Sequence, residues 1–252
     1  MKSVEKMKKI IFPAILLLLA GCASLSPRPM ARGAVCFTFD DYSGANWLKA
    51  DKIFKKYNAH VTFFVSGAIT PEKAAVMKQL QDAGHSVGLH SIRHRNAVPL
   101  PANWTPRLYF EKEIAPQLEV CRKKGIDVRG FAYPNNRRSD ETDAELFKHF
   151  DYLRAGKGKE REAIFYTQKE LKDKMVLGGA GIGKYYKSDV NKLKQLLRHA
   201  AETGTLVVFF SHNIYPKATG VSIPAEMLEE LLKTAVSLKM KIVGINELKT
   251  LK

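Results

Sequence analysis

The alternation of short apolar runs with amphipathic segments is the feature that most restricts how this chain can fold. About eight such pairs follow one another without internal repeats or low-complexity insertions, which is typical of a parallel sheet with crossover helices. Eight units in about 220 residues favour a closed barrel, and an open doubly wound sheet would also lack its glycine fingerprint here. The sequence therefore predicts an α/β fold, a distorted (β/α) barrel of seven to eight parallel strands. Strands are predicted at residues 34–39, 60–65, 85–89, 127–133, 152–155, 174–177, 205–210 and 241–245, and helices at 45–57, 71–83, 106–124, 142–150, 189–204 and 224–238.

Chemically active side chains follow several of these strands directly. Asp40 and Asp41 stand side by side after the first strand, and adjacent carboxylates raise each other's proton affinity, so a cation is expected to offset that cost. A solvated turn or a helix N-cap is the simpler interpretation of this pair alone. In a parallel barrel, the carboxyl ends of all strands open on one face. The topology therefore predicts one shared rim for Asp40, Asp41, His90, His94, Asn135, Asn136 and His212.

His90 and His94 have the spacing that places two imidazoles on one face of a helical turn. Together with one carboxylate they would form a metal site of two histidines and one acid, with open positions for water and substrate. The pair alone is weak support for a metal, but its position on the same rim as two acids strengthens the prediction. The other histidines, at 60, 85, 149 and 199, are expected to be packing or surface residues.

The N-terminal segment has the layout of a secretory signal, which we assign to residues 1–21. Four lysines precede an apolar run at 10–20, which is too short to span a bilayer because a span needs roughly 20 residues. The run Leu19-Ala20-Gly21-Cys22 resembles a bacterial lipoprotein cleavage box, in which Cys22 would carry the lipid; the alternative is a plain signal with an incidental cysteine. Residues 22–32 are expected to be a polar tether and residues 33–252 the catalytic domain. The predicted location is the cell envelope, anchored to a bacterial membrane and facing the periplasm or the exterior.

The chain is strongly basic, with a formal net charge of +16. Removal of residues 1–21 takes away four Lys and one Glu and leaves +13. Such a surface suits anionic partners such as cell-wall polymer or phospholipid headgroups, whereas nucleic acid is not expected for an exported chain without a binding motif. Beyond Cys22 the cysteines are Cys36 and Cys121, for which two buried free thiols are favoured over a disulfide. A monomer is expected.

Four segments, taken in order, resemble the polysaccharide deacetylase family, also described as the NodB homology domain or carbohydrate esterase family 4. They are Thr38-Phe39-Asp40-Asp41, His90-Ser91-Ile92-Arg93-His94, Phe131-Ala132-Tyr133-Pro134 and Ser211-His212. The resemblance covers roughly residues 34–248; the first two motifs are specific and the others looser. It implies a NodB-like barrel and a metal-dependent hydrolase that cleaves the linear amide C–N bond of an acetylated polysaccharide or cell-wall glycan, expected to be an N-acetylated amino sugar, with release of acetate.

The resemblance also implies a role for each matched residue. Asp41, His90 and His94 would bind a divalent metal, usually zinc, which lowers the pKa of a water molecule and polarises the acetyl carbonyl. Asp40 would take the proton of that water without binding the metal. The backbone N–H of Asn135 would correspond to the oxyanion donor, and His212 would protonate the departing amine.

Two departures from the family pattern bear on these roles. Ala132 stands where the family commonly has an arginine that orients the catalytic aspartate, and Asn135-Asn136 replace a frequent Tyr-Gly. Arg154 is the best substitute, because it lies at the end of the predicted strand next to the one that carries Ala132. An ordinary surface charge is the alternative for Arg154.

Some alternatives stay open from the sequence. Arg137 and Arg138 are expected to be solvated or at the edge of the groove, and Trp104 is either a sugar-stacking platform or an anchor of loop 95–105. Because of the missing arginine at Ala132, a glycan-binding lipoprotein with impaired catalysis is the second functional hypothesis. A non-haem iron oxygenase fits poorly, since such a site would need reducing equivalents outside the cytoplasm.

Overall fold

The computed structural model describes residues 32–156, 164–217 and 220–251. The predicted signal peptide, Cys22 and almost all of the tether lie outside the described residues, as do residues 157–163, which follow the fifth predicted strand. Within the described ranges, no helix combines the length and the apolar character that crossing a bilayer requires.

Seven parallel strands form a closed barrel. The strands of the described chain are β1 (Ala34–Phe39), β2 (Thr62–Val65), β3 (Ser86–Leu89), β4 (Val128–Ala132), β5 (Tyr152–Gly156), β6 (Phe165–Tyr166), β7 (Met175–Gly181), β8 (Leu206–Ser211), β9 (Ile214–Tyr215), β10 (Ile223–Pro224) and β11 (Lys241–Ile242). The barrel order is β1-β2-β3-β4-β5-β7-β8, and β8 returns to pair with β1 over six residue pairs. The predicted α/β barrel of parallel strands is confirmed.

The barrel differs from the predicted strand list at its ends. The last predicted strand shortens to β11, which pairs with β1 only at Ala34 and Val35 and lies outside the closed ring. β7 instead runs on through glycines that the sequence had placed after it. These glycines stay extended because β7 pairs with β5 on one side and with β8 on the other, which outweighs the weak strand preference of glycine.

Seven α-helices surround the barrel: α1 (Gly44–Lys56), α2 (Pro71–Asp82), α3 (Pro106–Glu113), α4 (Ala115–Lys123), α5 (Asp140–Leu146), α6 (Val190–Thr203) and α7 (Ala225–Ser237) in the described residues. The single helix predicted over 106–124 is wrong, because the chain breaks at Ile114 between α3 and α4. Pro116 accounts for the break, since proline lacks the N–H of a helix interior and its ring clashes with the preceding turn. Thr70 is the N-cap of α2, with the Lys73 N–H donating to Thr70 Oγ1 at 3.3 Å.

Side chains alternate between the barrel interior and the helix layer. On β1, Ala34 and Cys36 belong to the inner apolar cluster, whereas Val35 and Phe37 pack in the layer below the helices. On β5, Tyr152 belongs to the inner cluster and Leu153 to the outer one. Residue 154 therefore shares the inward direction of Tyr152. Cys36 and Cys121 are both buried and unpaired, as predicted.

Candidate active site and metal centre

One cavity of about 450 Å³ opens at the carboxyl ends of the barrel strands. All seven residues that were predicted to share one rim line it, namely Asp40, Asp41, His90, His94, Asn135, Asn136 and His212. Arg154, the predicted substitute for the arginine of the family, is buried and contacts Asp40. The cavity is also lined by residues that the sequence did not assign to the site, chiefly Tyr185 and Tyr186. The side chains that were predicted to share one rim therefore lie around one cavity.

Asp41, His90 and His94 form a cluster of side chains that could hold a metal ion. Their ligand atoms lie within 4.8 Å of one another, and no other group of His, Cys, Asp or Glu among residues 32–156, 164–217 and 220–251 does so. Asp41 Oδ1 is 3.5 Å from His90 Nε2 and 3.4 Å from His94 Nε2. Two imidazoles and a carboxylate are donors that suit a divalent transition metal, so the residues present fit such an ion. The Asp41 side chain is 44% exposed, which leaves one side of the cluster open to water and substrate.

His90 is held in one tautomer by the backbone. Its Nδ1 lies 2.7 Å from the carbonyl oxygen of Ala132, and because a carbonyl only accepts hydrogen bonds, Nδ1 carries the proton. Nε2 is thereby left as the ligand atom that faces Asp41 and His94. Burial lowers the pKa of His90 to about 4, so the imidazole is neutral near pH 7, which is the form that binds a metal.

The turn that carries His94 is not helical, so the expectation of a helical turn is wrong. Ser91 has φ 61° and His94 has φ 51°, which are left-handed backbone conformations. The two imidazoles still meet, with Nε2 atoms 3.2 Å apart. Hydrogen bonds from outside the turn replace the helical ones: the Gly67 N–H donates to the Ser91 carbonyl and the Ile92 N–H to the Glu113 carbonyl.

Glu113, at the end of α3, fixes this turn and was missed by the sequence interpretation. Its carboxylate is fully buried and accepts from the Arg93 backbone N–H at 2.9 Å and from Arg93 Nε at 2.7 Å. Arg95 Nε lies 3.4 Å from the same oxygen. The available signal was an acid four residues after the buried Tyr109, on the apolar face of the helix. A buried acid on an apolar face needs such partners.

The ring of Trp104 contacts two arginines of the turn that carries His94. The guanidinium of Arg95 lies 4.9 Å from the centre of its ring and that of Arg93 lies 5.8 Å away. Trp104 is not among the residues that line the cavity. The structure therefore favours the loop anchor over the sugar-stacking platform for this residue.

Arg154 occupies the position next to Asp40. It lies on β5 opposite Ala132 of β4, and its side chain is fully buried, so the surface-charge alternative is wrong. Arg154 Nη2 donates to Asp40 Oδ2, and Nη1 donates to Asn136 Oδ1 at 2.9 Å. The guanidinium also lies over the ring of Phe210, 4.8 Å from its centre. A barrel strand adjacent to the expected one thus supplies the cation.

Asp40 is almost completely buried, and its ionisation depends on Arg154. Burial alone would raise the pKa of this carboxyl, but the charge of Arg154, the nearby imidazoles of His90 and His212 and the hydrogen bond from Arg154 together outweigh burial and hold the pKa below its usual value. Oδ1 has no hydrogen-bond partner within the described chain, while Oδ2 is occupied by Arg154. The free oxygen is therefore able to accept a proton from a ligand in the cavity.

His212 stands on the other side of Asp41, with Nε2 3.8 Å from Asp41 Oδ2. Its backbone carbonyl accepts from Trp47 Nε1 at 3.2 Å, and its Nδ1 lies 3.4 Å from the hydroxyl of Tyr186. The ring of Tyr186 packs close to Gly181, where an added Cβ would lie 2.4 Å from a ring carbon. The sequence interpretation missed Tyr186, for which the signal was a tyrosine pair that follows the run of glycines at residues 178–183.

Asn135 and Asn136 both adopt left-handed backbone conformations, with φ 52° and 58°. Asparagine tolerates this region better than most residues, which gives a local reason for the pair. Asn135 Nδ2 donates to Asn96 Oδ1 at 2.8 Å, and Asn136 holds Arg154. The departure from Tyr-Gly therefore supplies the second partner of Arg154. The oxyanion role of the Asn135 N–H stays a prediction.

Comparison with known proteins identifies the family of this chain. The family model described as polysaccharide deacetylase matches residues 28–153, which is half of the chain, and the chain belongs to that family. Deacetylases of this family generally depend on a divalent metal. The peptidoglycan deacetylase of Helicobacter pylori is 39% identical over 99 residues, which make up 39% of this chain and 32% of that protein. The match therefore spans about a third of the length of this curated relative.

Two solved structures share the fold. Peptidoglycan deacetylase PdaC from Bacillus subtilis aligns with a TM-score of 0.57 and 19% identity, covering 87% of this chain and 91% of that one. A family 4 acetyl xylan esterase from Clostridium thermocellum, solved in complex with a cobalt ion, aligns with a TM-score of 0.55 and 20% identity, covering 86% and 91%. At these identities the alignments establish the barrel fold.

Proposed function

We propose that this protein is a metal-dependent deacetylase that hydrolyses the acetamido group of an amino sugar in a polysaccharide and releases acetate. The observation that carries this proposal is the position of the Asp41, His90 and His94 cluster in the same cavity as Asp40 and His212. Family membership supports hydrolysis of acetyl groups from polysaccharide. Zn²⁺ is the ion we expect, because two neutral imidazoles and one carboxylate with an open side form a common zinc site in hydrolases.

Each residue has a step that its geometry permits. A divalent metal held by Asp41, His90 and His94 would polarise the acetyl carbonyl and acidify water. Asp40 takes a proton from the attacking water on its free Oδ1, because Oδ2 is engaged by Arg154. The Asn135 N–H would donate to the carbonyl oxygen as negative charge develops there. His212 gives a proton to the sugar nitrogen, so the C–N bond breaks and acetate and a free amine leave.

The alternative of a glycan-binding protein with impaired catalysis loses its main support. That hypothesis rested on the missing arginine at Ala132, and Arg154 makes the contact with Asp40 from the next strand. The acid retains its cationic partner, so the machinery for proton abstraction is complete among the residues described.

Removal of the metal tests the proposed function. We expect that chelation followed by dialysis abolishes acetate release from acetylated chito-oligosaccharide or peptidoglycan, and that added Zn²⁺ restores it. Elemental analysis should give about one metal ion per chain before chelation and none after it, because the described part of the chain offers one cluster of three ligands. Acetylated xylan in parallel separates amide from ester hydrolysis. Equal acetate release before and after complete metal removal would contradict the mechanism.

We also infer that the protein is exported and held at the cell envelope by lipid on Cys22, which rests on the sequence of residues 1–22. Cys22→Ser should abolish incorporation of labelled fatty acid and move the protein out of the detergent phase. Ser26→Ala, in the same tether, is the matched control and should be labelled like the wild type. Continued labelling of the Cys22→Ser variant would contradict the anchor assignment.

A further inference from the structure

Arg137 is a cation at the cavity wall whose side chain has no partner among the described residues. It is exposed, it lines the cavity, and its side chain forms no ion pair or hydrogen bond with any described residue. The neighbouring arginines contrast with it, because Arg138 pairs with Asp143 and Arg154 pairs with Asp40. Arg137 is therefore free to bind a group that the cavity receives from solution.

The backbone holds Arg137 in place at the cavity wall. Its N–H donates to the Pro134 carbonyl at 3.1 Å, and the preceding Asn136 is fixed by Arg154. The guanidinium thus projects from a segment tied to the buried Asp40–Arg154 pair. A group bound by Arg137 would therefore have a defined position relative to Asp40 and the rest of the proposed reacting centre.

The acids of the cavity do not neutralise Arg137. The carboxylates that line the cavity are Asp40, which Arg154 engages, and Asp41, which faces the two histidines. The segment after β7 that contributes Tyr185 and Tyr186 to the cavity also carries Lys184 and Lys187, which are exposed and form no ion pair within the described residues. A neutral glycan would leave these charges unused, whereas an acidic one would complement them.

An aromatic ring accompanies this positive charge. Tyr185 lines the same cavity and is 65% exposed, and its ring rests edge-on against Tyr186 with the ring centres 5.2 Å apart. An exposed aromatic face with a polar edge is suited to the apolar face of a sugar ring. Tyr185 and Arg137 therefore offer a platform and an anion-binding group within one cavity.

We propose that Arg137 binds a carboxylate carried by the glycan beside the reacting acetamido group, so that the preferred substrate is an acidic glycan. The chemistry that fits is an amino-sugar chain with an ether-linked carboxylate, as in strands that contain muramic acid. This inference rests on the proposed deacetylase function and specifies its substrate class. Arginine favours such a ligand because its planar donors match the two oxygens of a carboxylate.

The test compares two glycans that differ in the carboxylate. The probes are peptide-free glycan strands containing N-acetylmuramic acid and N-acetylated chito-oligosaccharides of equal length, with acetate release measured on the Zn²⁺-loaded enzyme. Wild-type protein is expected to have the higher kcat/KM for the acidic strands. In Arg137→Gln the ratio of the two kcat/KM values should fall about tenfold, which is the lower range for a lost charge-assisted hydrogen bond. The ratio of the wild type should also fall with rising salt, because salt screens exposed charges.

Arg122→Gln is the matched control, since Arg122 is exposed and does not line this cavity. It removes the same charge and should keep the wild-type ratio. An unchanged ratio in Arg137→Gln, or a wild-type preference for the neutral glycan, would overturn the inference while acetate release itself upholds the deacetylase function. Absence of acetate release from either glycan would overturn the proposed function and the inference with it.

Discussion

Asp40→Asn is expected to reduce acetate release about 10²- to 10⁴-fold while the metal content stays near one ion per chain. The variant keeps the shape of the side chain but cannot accept the proton of the attacking water. The metal is retained because Asp40 is not one of the three clustered ligands, although it adjoins one of them. Turnover is measured by acetate release and metal content by elemental analysis of the same sample.

Asp41→Asn is the matched comparison, because it makes the same change one residue along the chain. It should lose metal, since Asp41 supplies the carboxylate that faces both histidines. Asp40→Asn leaves the buried Arg154 without its charged partner, so its stability is expected to fall, and retained metal then doubles as a measure of correct folding. Equal loss of metal in both variants would show that the roles of the two acids are wrongly divided.

Arg154→Met is expected to lower turnover near neutral pH and to move the acid limb of the pH–rate profile to higher pH. The base works when Asp40 is ionised, which in the wild type holds down to a pH below its usual pKa because of Arg154. Without the guanidinium, burial raises the pKa of Asp40, because an opposite charge within about 4–6 Å lowers a carboxyl pKa by about 1–3 units. The apparent pKa of the acid limb should therefore rise by about 1–3 units, with metal still bound.

Unfolding of the same variant provides a second readout. A carboxyl whose pKa is lowered by folding stabilises the protein above its unfolded pKa, and this stability is lost as the pH falls through the folded pKa. Arg154→Met removes this stabilisation and leaves a buried carboxylate unpaired, at a cost of about 3–5 kcal/mol near neutral pH. The deficit should shrink at acid pH, where Asp40 is protonated. Arg129→Met, which replaces an exposed arginine of β4, is the control. An unchanged acid limb and unchanged turnover in Arg154→Met would remove Arg154 from the reaction.

The sequence predicted the barrel and the position of its site because both follow from local patterns. Alternating strands and helices fix a parallel sheet, and the parallel sheet gathers the residues that follow its strands. The same reasoning located Arg154, since neighbouring strands place Ala132 and residue 154 side by side. These predictions require only the order of the strands in the sheet.

The residues that escaped prediction depend on long-range contacts. Glu113 reads as one more acid of an amphipathic helix until the turn of His94 is packed against it. The left-handed backbone of Ser91 and His94 has little signature in residue type, because neither is glycine or asparagine, the residues that adopt it most readily. Tyr186 needs β7 to continue through its glycines before its ring reaches His212. Pro116 indicated the break between α3 and α4, but the helical spacing of apolar residues over 106–124 led to the prediction of a single helix.

The closure of the barrel has a consequence for when the site comes into being. β1 pairs with β8, and Thr38 donates to the carbonyl of Phe209, which lies 171 residues further along the chain. Asp40 leaves the first of these strands and His212 the second, so neither finds its place until most of the polypeptide has been made. If the N-terminus of the chain crosses a membrane first, β1 is translocated before β8 and stays unpaired with it until β8 follows. On the proposed function, a nascent or partly exported molecule that lacks β8 would release no acetate, because Asp40 and His212 come together only when β1 and β8 pair.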